Sequence, residues 1–150
     1  MAGDDIKATV RSYIQEVWNH GNWTAIEQLC APEVRLHLGG SSLAVGSDVH
    51  AHLVGGWRSA FPDLVWTIED MVAEGDKVAC RFVGRGSHTG EAFPTRSLGS
   101  IPPSGTRVTV GEIAIYRVAD GKVAECWAEV DTLGLMHQLG AIPQPGAAGT

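Results

Sequence analysis

The stretch from Arg107 to Gly140 constrains the fold most, because it contains two long strand-like runs joined by Asp120-Gly121. Asp-Gly between alternating apolar runs is a strong signal for a tight β-hairpin. A short helix is expected after the second run, ending at Gly140. The stretch therefore predicts a long antiparallel hairpin followed by a short helix.

Alternation along the hairpin predicts which side chains share a face of the sheet. The mostly apolar face carries Val108, Val110, Glu112, Ala114, Tyr116, Ala124, Cys126, Ala128 and Val130. The opposite face of the second strand carries Glu125, Trp127, Glu129 and Asp131. Small side chains leave room above the apolar face, and Glu112 is predicted to point into that room.

Length and charge bound the class of protein. With 150 residues and a net charge of −6, the chain is expected to be one globular domain over residues 1–142, with a disordered tail over 143–150. Nucleic acid is not an expected partner, since no basic run is present. No apolar run is long enough to span a membrane, and the N-terminal residues lack the pattern of a signal peptide. We therefore expect a cytoplasmic protein.

The three cysteines, Cys30, Cys80 and Cys126, are odd in number and widely spaced. This pattern favours reduced, buried thiols over a disulfide framework or a zinc site. No Gly-rich phosphate loop, Gly-x-Ser-x-Gly elbow or His-Glu-x-x-His motif is present, so the chemistries of those motifs are not expected.

The order of predicted elements indicates an α+β fold. Apolar spacing predicts a helix over roughly residues 4–20, a shorter helix ending before Pro32, and a helix from Ser47 to about Phe61. A short strand is predicted over 33–38, and two further strands over 64–74 and 77–85. Residues 86–105 are predicted to form a long loop. Helices followed by a run of strands are typical of α+β proteins rather than of alternating βαβ units.

Several motifs carry a resemblance to a known family: Ala60–Leu64, Glu74–Ala79, Gly86–Glu91, Pro102–Gly105, Arg117-Val118, Asp120–Val123, Glu125, Trp127, Asp131 and Gln138–Gly140. With the element order, they resemble the cone-shaped fold of the nuclear transport factor 2-like superfamily. Within it, the chain is similar to the SnoaL-like polyketide cyclases. The resemblance implies a curved antiparallel or mixed β-sheet wrapped around helices, with an internal pocket.

The resemblance also implies a function. Founding members close a ring of an aromatic polyketide ester by intramolecular aldol addition, without a metal or organic cofactor, and they form small dimers or tetramers. Their general acid/base is an Asp on the last strand, whose position falls at Ala128 here. A His of the cyclases falls at Ala114, and a Gln falls at Glu112.

Three residues are candidates for acid/base catalysis. Glu112 lies on an apolar face, where lost solvation would raise its pKa towards neutrality; the alternative is a structural, hydrogen-bonded acid. His37 is expected near the wide end of the pocket, or equally on a solvated outer face beside Arg35. Asp131 matches a recurrent acid of the family; alternation places it on the outer face unless a bulge turns it inward.

Seven further residues are predicted to bind a hydrophobic small molecule: Trp18, His50, Trp57, Ala114, Tyr116, Cys126 and Ala128. His50 shares an apolar helix face with Trp57, so a purely structural role is the alternative. Trp127, between two acids on the outer face, is predicted to form a homodimer contact.

Three functions remain open from the sequence. The first is an enzyme that acts by acid/base chemistry on a polycyclic or polyketide-like molecule, as a cyclase, isomerase or dehydratase. The second is a hydroxylase-like member of polyketide pathways. The third is a binding protein that holds a hydrophobic ligand without chemistry.

Overall fold

A computed structural model describes residues 3–144 and residue 146. The helices are α1 (Gly3–Tyr13, continued by a π-helical segment Ile14–Asn19), α2 (Thr24–Leu29), α3 (Ser47–Ala60) and α4 (Thr132–Gln138). The strands are β1 (Cys30–Leu38), β2 (Ser41–Val45), β3 (Val65–Glu74), β4 (Lys77–Ser87), β5 (Phe93–Pro94), β6 (Ser100–Ile101), β7 (Arg107–Ala119) and β8 (Lys122–Val130). Most of the predicted tail, residues 145 and 147–150, lies outside the described residues.

Six strands form one curved, unclosed sheet in the order β2-β1-β8-β7-β4-β3. β1 runs parallel to β8, and the other neighbouring pairs are antiparallel. Helix α1 contacts β3, β4, β7 and β8, α2 contacts β1 and β8, and the buried core lies between helices and sheet. The predicted α+β fold with a mixed sheet around helices is confirmed. None of the described helices is both long and apolar enough to cross a membrane.

The β7–β8 hairpin forms as predicted. Asp120 and Gly121 both have positive φ, at 52° and 74°, which is the backbone conformation of a type I′ turn. The register shifts between Arg117 and Val118, so Val123 is buried at the start of β8 and Ala124 is only half-buried. The predicted inward position of Ala124 is therefore wrong, because a bulge changes the alternation there.

The first helix departs from α-helical geometry over its last turn. Ile14–Asn19 is a π-helix, in which hydrogen bonds run from residue i to i+5. Residues five positions apart are thereby brought one above the other, and Tyr13 and Trp18 are such a pair. The π-helical segment thus orients Trp18 towards the side chain of Tyr13.

The segment between β4 and β7 is tied to α3. Phe93 of β5 packs against Trp57 with ring centroids 4.9 Å apart. The backbone N–H of Gly90 donates to the carbonyl of Ala60, and a Cβ at residue 90 would collide with the carbonyl oxygen of Ser59. Only glycine permits this approach of the loop to the end of the helix.

Candidate functional site

Three neighbouring strands form the inner floor of the sheet with small side chains. Ala114 of β7 pairs with Cys80 of β4 on one side and with Ala128 of β8 on the other. All three are buried. Tyr116 and Cys126 form the next inward-facing pair along the hairpin, and they are buried too. The predicted inward orientation of these hairpin residues is confirmed.

Glu112 points to the same inner face, between Phe82 of β4 and Val130 of β8. It is half-buried. Burial raises the pKa of its carboxyl group from 4.5 to about 7, and no hydrogen bond or cation of the described residues offsets this cost. A carboxyl group with such a pKa can both accept and donate a proton at neutral pH.

A hydrogen-bonded chain faces the floor from the helices. The Trp18 indole N–H donates to the Tyr13 hydroxyl across 3.1 Å, and this hydroxyl lies 2.7 Å from His50 Nε2. Tyr13 and His50 are 4% and 2% exposed. Burial lowers the pKa of His50 from 6.5 to about 4 and raises that of Tyr13, so both groups are neutral at neutral pH.

Aromatic rings fill the space beside this chain. Trp18 and Trp57 are half-buried, with ring centroids 6.4 Å apart, and both contact Trp66 of β3 edge to face. Trp57 also packs against Phe61 and Phe93. The structure therefore brings Trp18, His50 and Trp57 to one wall. The Tyr13 ring of this wall contacts Tyr116 of the floor, with ring centroids 5.8 Å apart.

Buried nitrogen atoms without a partner mark this wall. Within the described part of the chain, His50 Nδ1 and Trp66 Nε1 have no hydrogen-bond partner. His88 Nδ1 is similarly unpaired, but its ring lies at the base of the β4–β7 loop, where Nε2 contacts the Glu91 carbonyl at 3.0 Å. An unpaired buried polar group is costly in free energy, and a bound ligand or water that forms the missing hydrogen bond removes this cost.

His37 lies on the outer face of the sheet, the second of its two predicted positions. Its Nε2 is 2.7 Å from a carboxylate oxygen of Glu125, and its Nδ1 is 2.7 Å from the Ser42 hydroxyl. The ring stacks on Trp127, and Arg117 donates to the other oxygen of Glu125. The sheet separates His37 from Glu112. The prediction that His37 belongs to the same catalytic site as Glu112 is therefore wrong.

Asp131 is not on the inner face, although it and Glu112 both border a shallow groove of the sheet. It is exposed and caps α4, where its carboxylate accepts a hydrogen bond from the Gly134 N–H at 2.9 Å. A Cβ on residue 134 would collide with this carboxylate, so any larger residue there would displace the cap. The register shift in the hairpin lies near its turn and does not rotate Asp131 inward. Asp131 stays on the outer side, as alternation alone predicts.

Sequence reasoning missed two residues of the inner wall. The sequence indicates Tyr13 only as part of an apolar helix stripe, and Trp66 as a residue of the core or of a subunit contact rather than of a binding site. Their roles depend on contacts between distant segments, Tyr13 with His50 and Trp66 with Trp18 and Trp57. The presence of polar atoms on otherwise apolar faces is the signal that could have indicated them.

Comparisons with known proteins agree with this architecture. The SnoaL-like polyketide cyclase family matches residues 8–139. Among solved structures, AclR, a proposed hydroxylase from Streptomyces galilaeus, is 27% identical, with a TM-score of 0.80 over 98% of this chain and 88% of its own. TsrD from Streptomyces laurentii is 30% identical, with a TM-score of 0.79 over 95% of this chain and 99% of its own.

A third similar structure is IdmH, a proposed polyketide cyclase from Streptomyces antibioticus. It is 27% identical, with a TM-score of 0.75 over 90% of this chain and 98% of its own. No curated protein sequence is significantly similar. Because the family match covers most of the chain and the fold agrees, the protein belongs to the SnoaL-like polyketide cyclase family.

Proposed function

We propose that the protein is an enzyme that acts by acid/base chemistry on a hydrophobic, polyketide-like small molecule held between the sheet and the helices. Glu112 transfers the proton. The observation that carries this proposal is the position of Glu112 on the inner face, with a pKa raised by burial to about 7. Family membership supports the class of substrate.

The proposed chemistry uses one carboxyl group twice. The Glu112 carboxylate removes a proton from the carbon next to a ligand carbonyl, which leaves an enolate. The enolate carbon attacks a second carbonyl of the same molecule, so that a C–C bond forms and an alkoxide results. The protonated Glu112 then returns its proton to the alkoxide. Isomerisation and dehydration use the same first proton transfer.

Space for the ligand is supported by the small side chains next to Glu112. Cys80, Ala114 and Ala128 form a continuous row on the floor, adjacent to the row that holds Glu112. The aromatic wall of Trp18 and Trp57 supplies flat apolar surfaces for a polycyclic molecule. We therefore assign substrate binding to this row and this wall.

Turnover of an anthraquinone-type polyketide methyl ester tests the proposal, with mass spectrometry of the product. We expect the wild type to close the ring and Glu112→Gln to lose roughly 10²- to 10⁴-fold in rate, together with the limb of the pH-rate profile near pH 7. Glu33→Gln, which changes an exposed acid of β1, is the control and should retain the wild-type rate. Equal rates in Glu112→Gln and the wild type would refute the role of Glu112.

A hydroxylase-like activity is the second candidate. It is supported by the similarity to AclR over 98% of this chain and by an alanine, Ala128, where the cyclases carry their catalytic Asp. Oxygen consumption with the same ester and a chemical reductant would separate it from ring closure. Tight binding without turnover in either assay would favour a binding protein.

The outer face of the sheet supports a homodimer as part of this proposal. Ile113, Ile115 and Val72 are exposed there by 59%, 38% and 65%. Ile115 pairs with Trp127. A shallow groove of about 450 Å³ beside them is lined by Arg81, Phe82, Val83, Gly111, Glu112, Ile113, Glu129, Val130 and Asp131. Apolar surface of this kind is typical of contacts between subunits.

Sedimentation velocity tests the dimer. We expect the wild type to sediment as a dimer and Ile113→Lys as a monomer, since a buried charge without a partner opposes association. Ala8→Lys, on the exposed side of α1, is the control and should stay dimeric. A monomeric wild type at micromolar concentration would refute this contact.

A further inference from the structure

The hydrogen-bonded chain of Trp18, Tyr13 and His50 has only one arrangement of hydrogens that leaves a single group unpaired. An indole N–H can only donate, so the Tyr13 oxygen accepts from Trp18. The one hydrogen of the Tyr13 hydroxyl is then free to donate to His50 Nε2, 2.7 Å away. The alternative, in which Nε2–H donates to Tyr13, leaves both the Tyr13 hydrogen and the lone pair of Nδ1 without a partner.

The favoured arrangement fixes the tautomer of His50. Because Nε2 accepts from Tyr13 and the ring is neutral in its buried position, the ring proton resides on Nδ1. This Nδ1–H is buried and has no acceptor among the described residues. Trp66, in the same wall, likewise holds a buried N–H without an acceptor. Among the described residues, the unpaired buried side-chain atoms of this wall are therefore both donors.

We propose that the Nδ1–H of His50 is a ligand-binding group that donates a hydrogen bond to a neutral carbonyl oxygen of the bound molecule. Tyr13, held by Trp18, is the positioning residue that keeps the proton on Nδ1. This inference rests on the proposed function, since it places a ligand between the wall and the floor that carries Glu112. It adds the chemical class of the group that the wall recognises, a ketone, quinone or ester carbonyl.

The donor has a chemical consequence for the reaction. A hydrogen bond to the carbonyl oxygen withdraws electrons from it and stabilises the negative charge that develops there when the neighbouring carbon loses its proton. A neutral imidazole can do this without transferring its own proton. Glu112 and His50 thus act on the same molecule from the floor and from the wall.

Two measurements test the inference. The first is the two-bond ¹H–¹⁵N correlation spectrum of the imidazole side chains in the ligand-free protein, with His50→Leu to assign the signals. We expect the wild-type His50 pattern of a proton on Nδ1, and a loss of this single pattern in Tyr13→Phe. A wild-type proton on Nε2 overturns the inference.

The second measurement is equilibrium dialysis with anthraquinone and with anthracene, the hydrocarbon of the same shape without carbonyl groups. We expect His50→Leu to weaken the binding of anthraquinone roughly three- to tenfold, as expected for the loss of one neutral hydrogen bond, and to leave anthracene binding unchanged. Tyr13→Phe should weaken anthraquinone binding by less. His52→Leu, an exposed change on the same helix, is the control and should alter neither affinity.

Other outcomes of the dialysis overturn the inference. These are equal losses for both probes in His50→Leu, no loss for either, or a wild type that binds anthraquinone no better than anthracene. Failure of the proposed function looks different. If Glu112→Gln leaves turnover unchanged while anthraquinone is still preferred through His50, the carbonyl site stands and the role of Glu112 falls.

Discussion

Glu112 and His50 should give the protein opposite dependences of stability on pH that cancel in the wild type. Glu112 has a pKa of 4.5 when unfolded and about 7 when folded, so the folded state holds the extra proton between these values. The free energy of unfolding then falls as pH rises through this window. His50 has a pKa of 6.5 when unfolded and about 4 when folded, so the unfolded state holds the extra proton. Its contribution rises with pH.

The size of the change in unfolding free energy follows from the pH interval, between 4.5 and 6.5, in which the shifts of Glu112 and His50 overlap. Each group changes the free energy of unfolding by about 1.4 kcal/mol per pH unit, with opposite signs. As the pH rises from about 5 to about 6.5, the free energy of unfolding of Glu112→Gln should therefore increase by about 2 kcal/mol relative to that of the wild type. Over the same interval, the free energy of unfolding of His50→Leu should decrease by about 2 kcal/mol relative to that of the wild type. This change with pH is expected even if the substitution also alters stability by a constant amount.

Urea unfolding followed by tryptophan fluorescence measures these slopes at several pH values. Thr67→Ala, which changes an exposed residue that does not titrate, should run parallel to the wild type. The double variant Glu112→Gln/His50→Leu should also return to the wild-type slope. A Glu112→Gln curve parallel to that of the wild type would show that Glu112 is ionised in the folded protein, and the reasoning would fail.

Three further changes test the packing around the site. Gly84→Ala places a Cβ 2.7 Å from the Trp66 ring and should lower the free energy of unfolding by about 1–3 kcal/mol, measured with urea. Gly111→Ala meets open space and should lower it much less, so equal losses would contradict the close packing at Gly84. Asp131→Ala should lower the free energy of unfolding by about 1 kcal/mol because the helix cap is lost, whereas Asp131→Asn should retain most of the stability of the cap. Neither variant should alter the pH-rate profile, and a lost limb of that profile in Asp131→Asn would indicate a catalytic role. Phe93→Ala removes the ring that ties the β4–β7 loop to α3, so limited proteolysis should cut residues 86–105 faster; unchanged cutting would show that other contacts suffice.

Local signals predict the parts of the fold that local chemistry controls. Asp120-Gly121 identifies the hairpin, and alternation places Glu112, Ala114 and Tyr116 on the inner face. The same rule fails at Ala124, because the bulge near the turn depends on pairing between β7 and β8. Strand β2 has no clear local signal, since Gly-Gly-Ser-Ser favours a loop and the strand forms only by pairing with β1.

The candidate site can be predicted only in part. The acid on the sheet is evident from the sequence, because one carboxyl group on an apolar strand face is a local feature. The orientation of His37 is not, since it depends on the parallel pairing of β1 with β8, which brings it beside Trp127. The chain from Trp18 to His50 requires the π-helical segment and the contact of Tyr13 with His50, neither of which has a sequence signal of its own.

The central claim is that Glu112 is a proton-transferring group poised near neutral pH, and the most direct measurement is its own titration. Selective ¹³C labelling of glutamate and NMR from about pH 3 to about pH 9 follows its carboxyl carbon, assigned by its loss in Glu112→Gln. The account predicts a midpoint of about 7. A midpoint near 4.5, the ordinary value of a glutamate side chain, would contradict it.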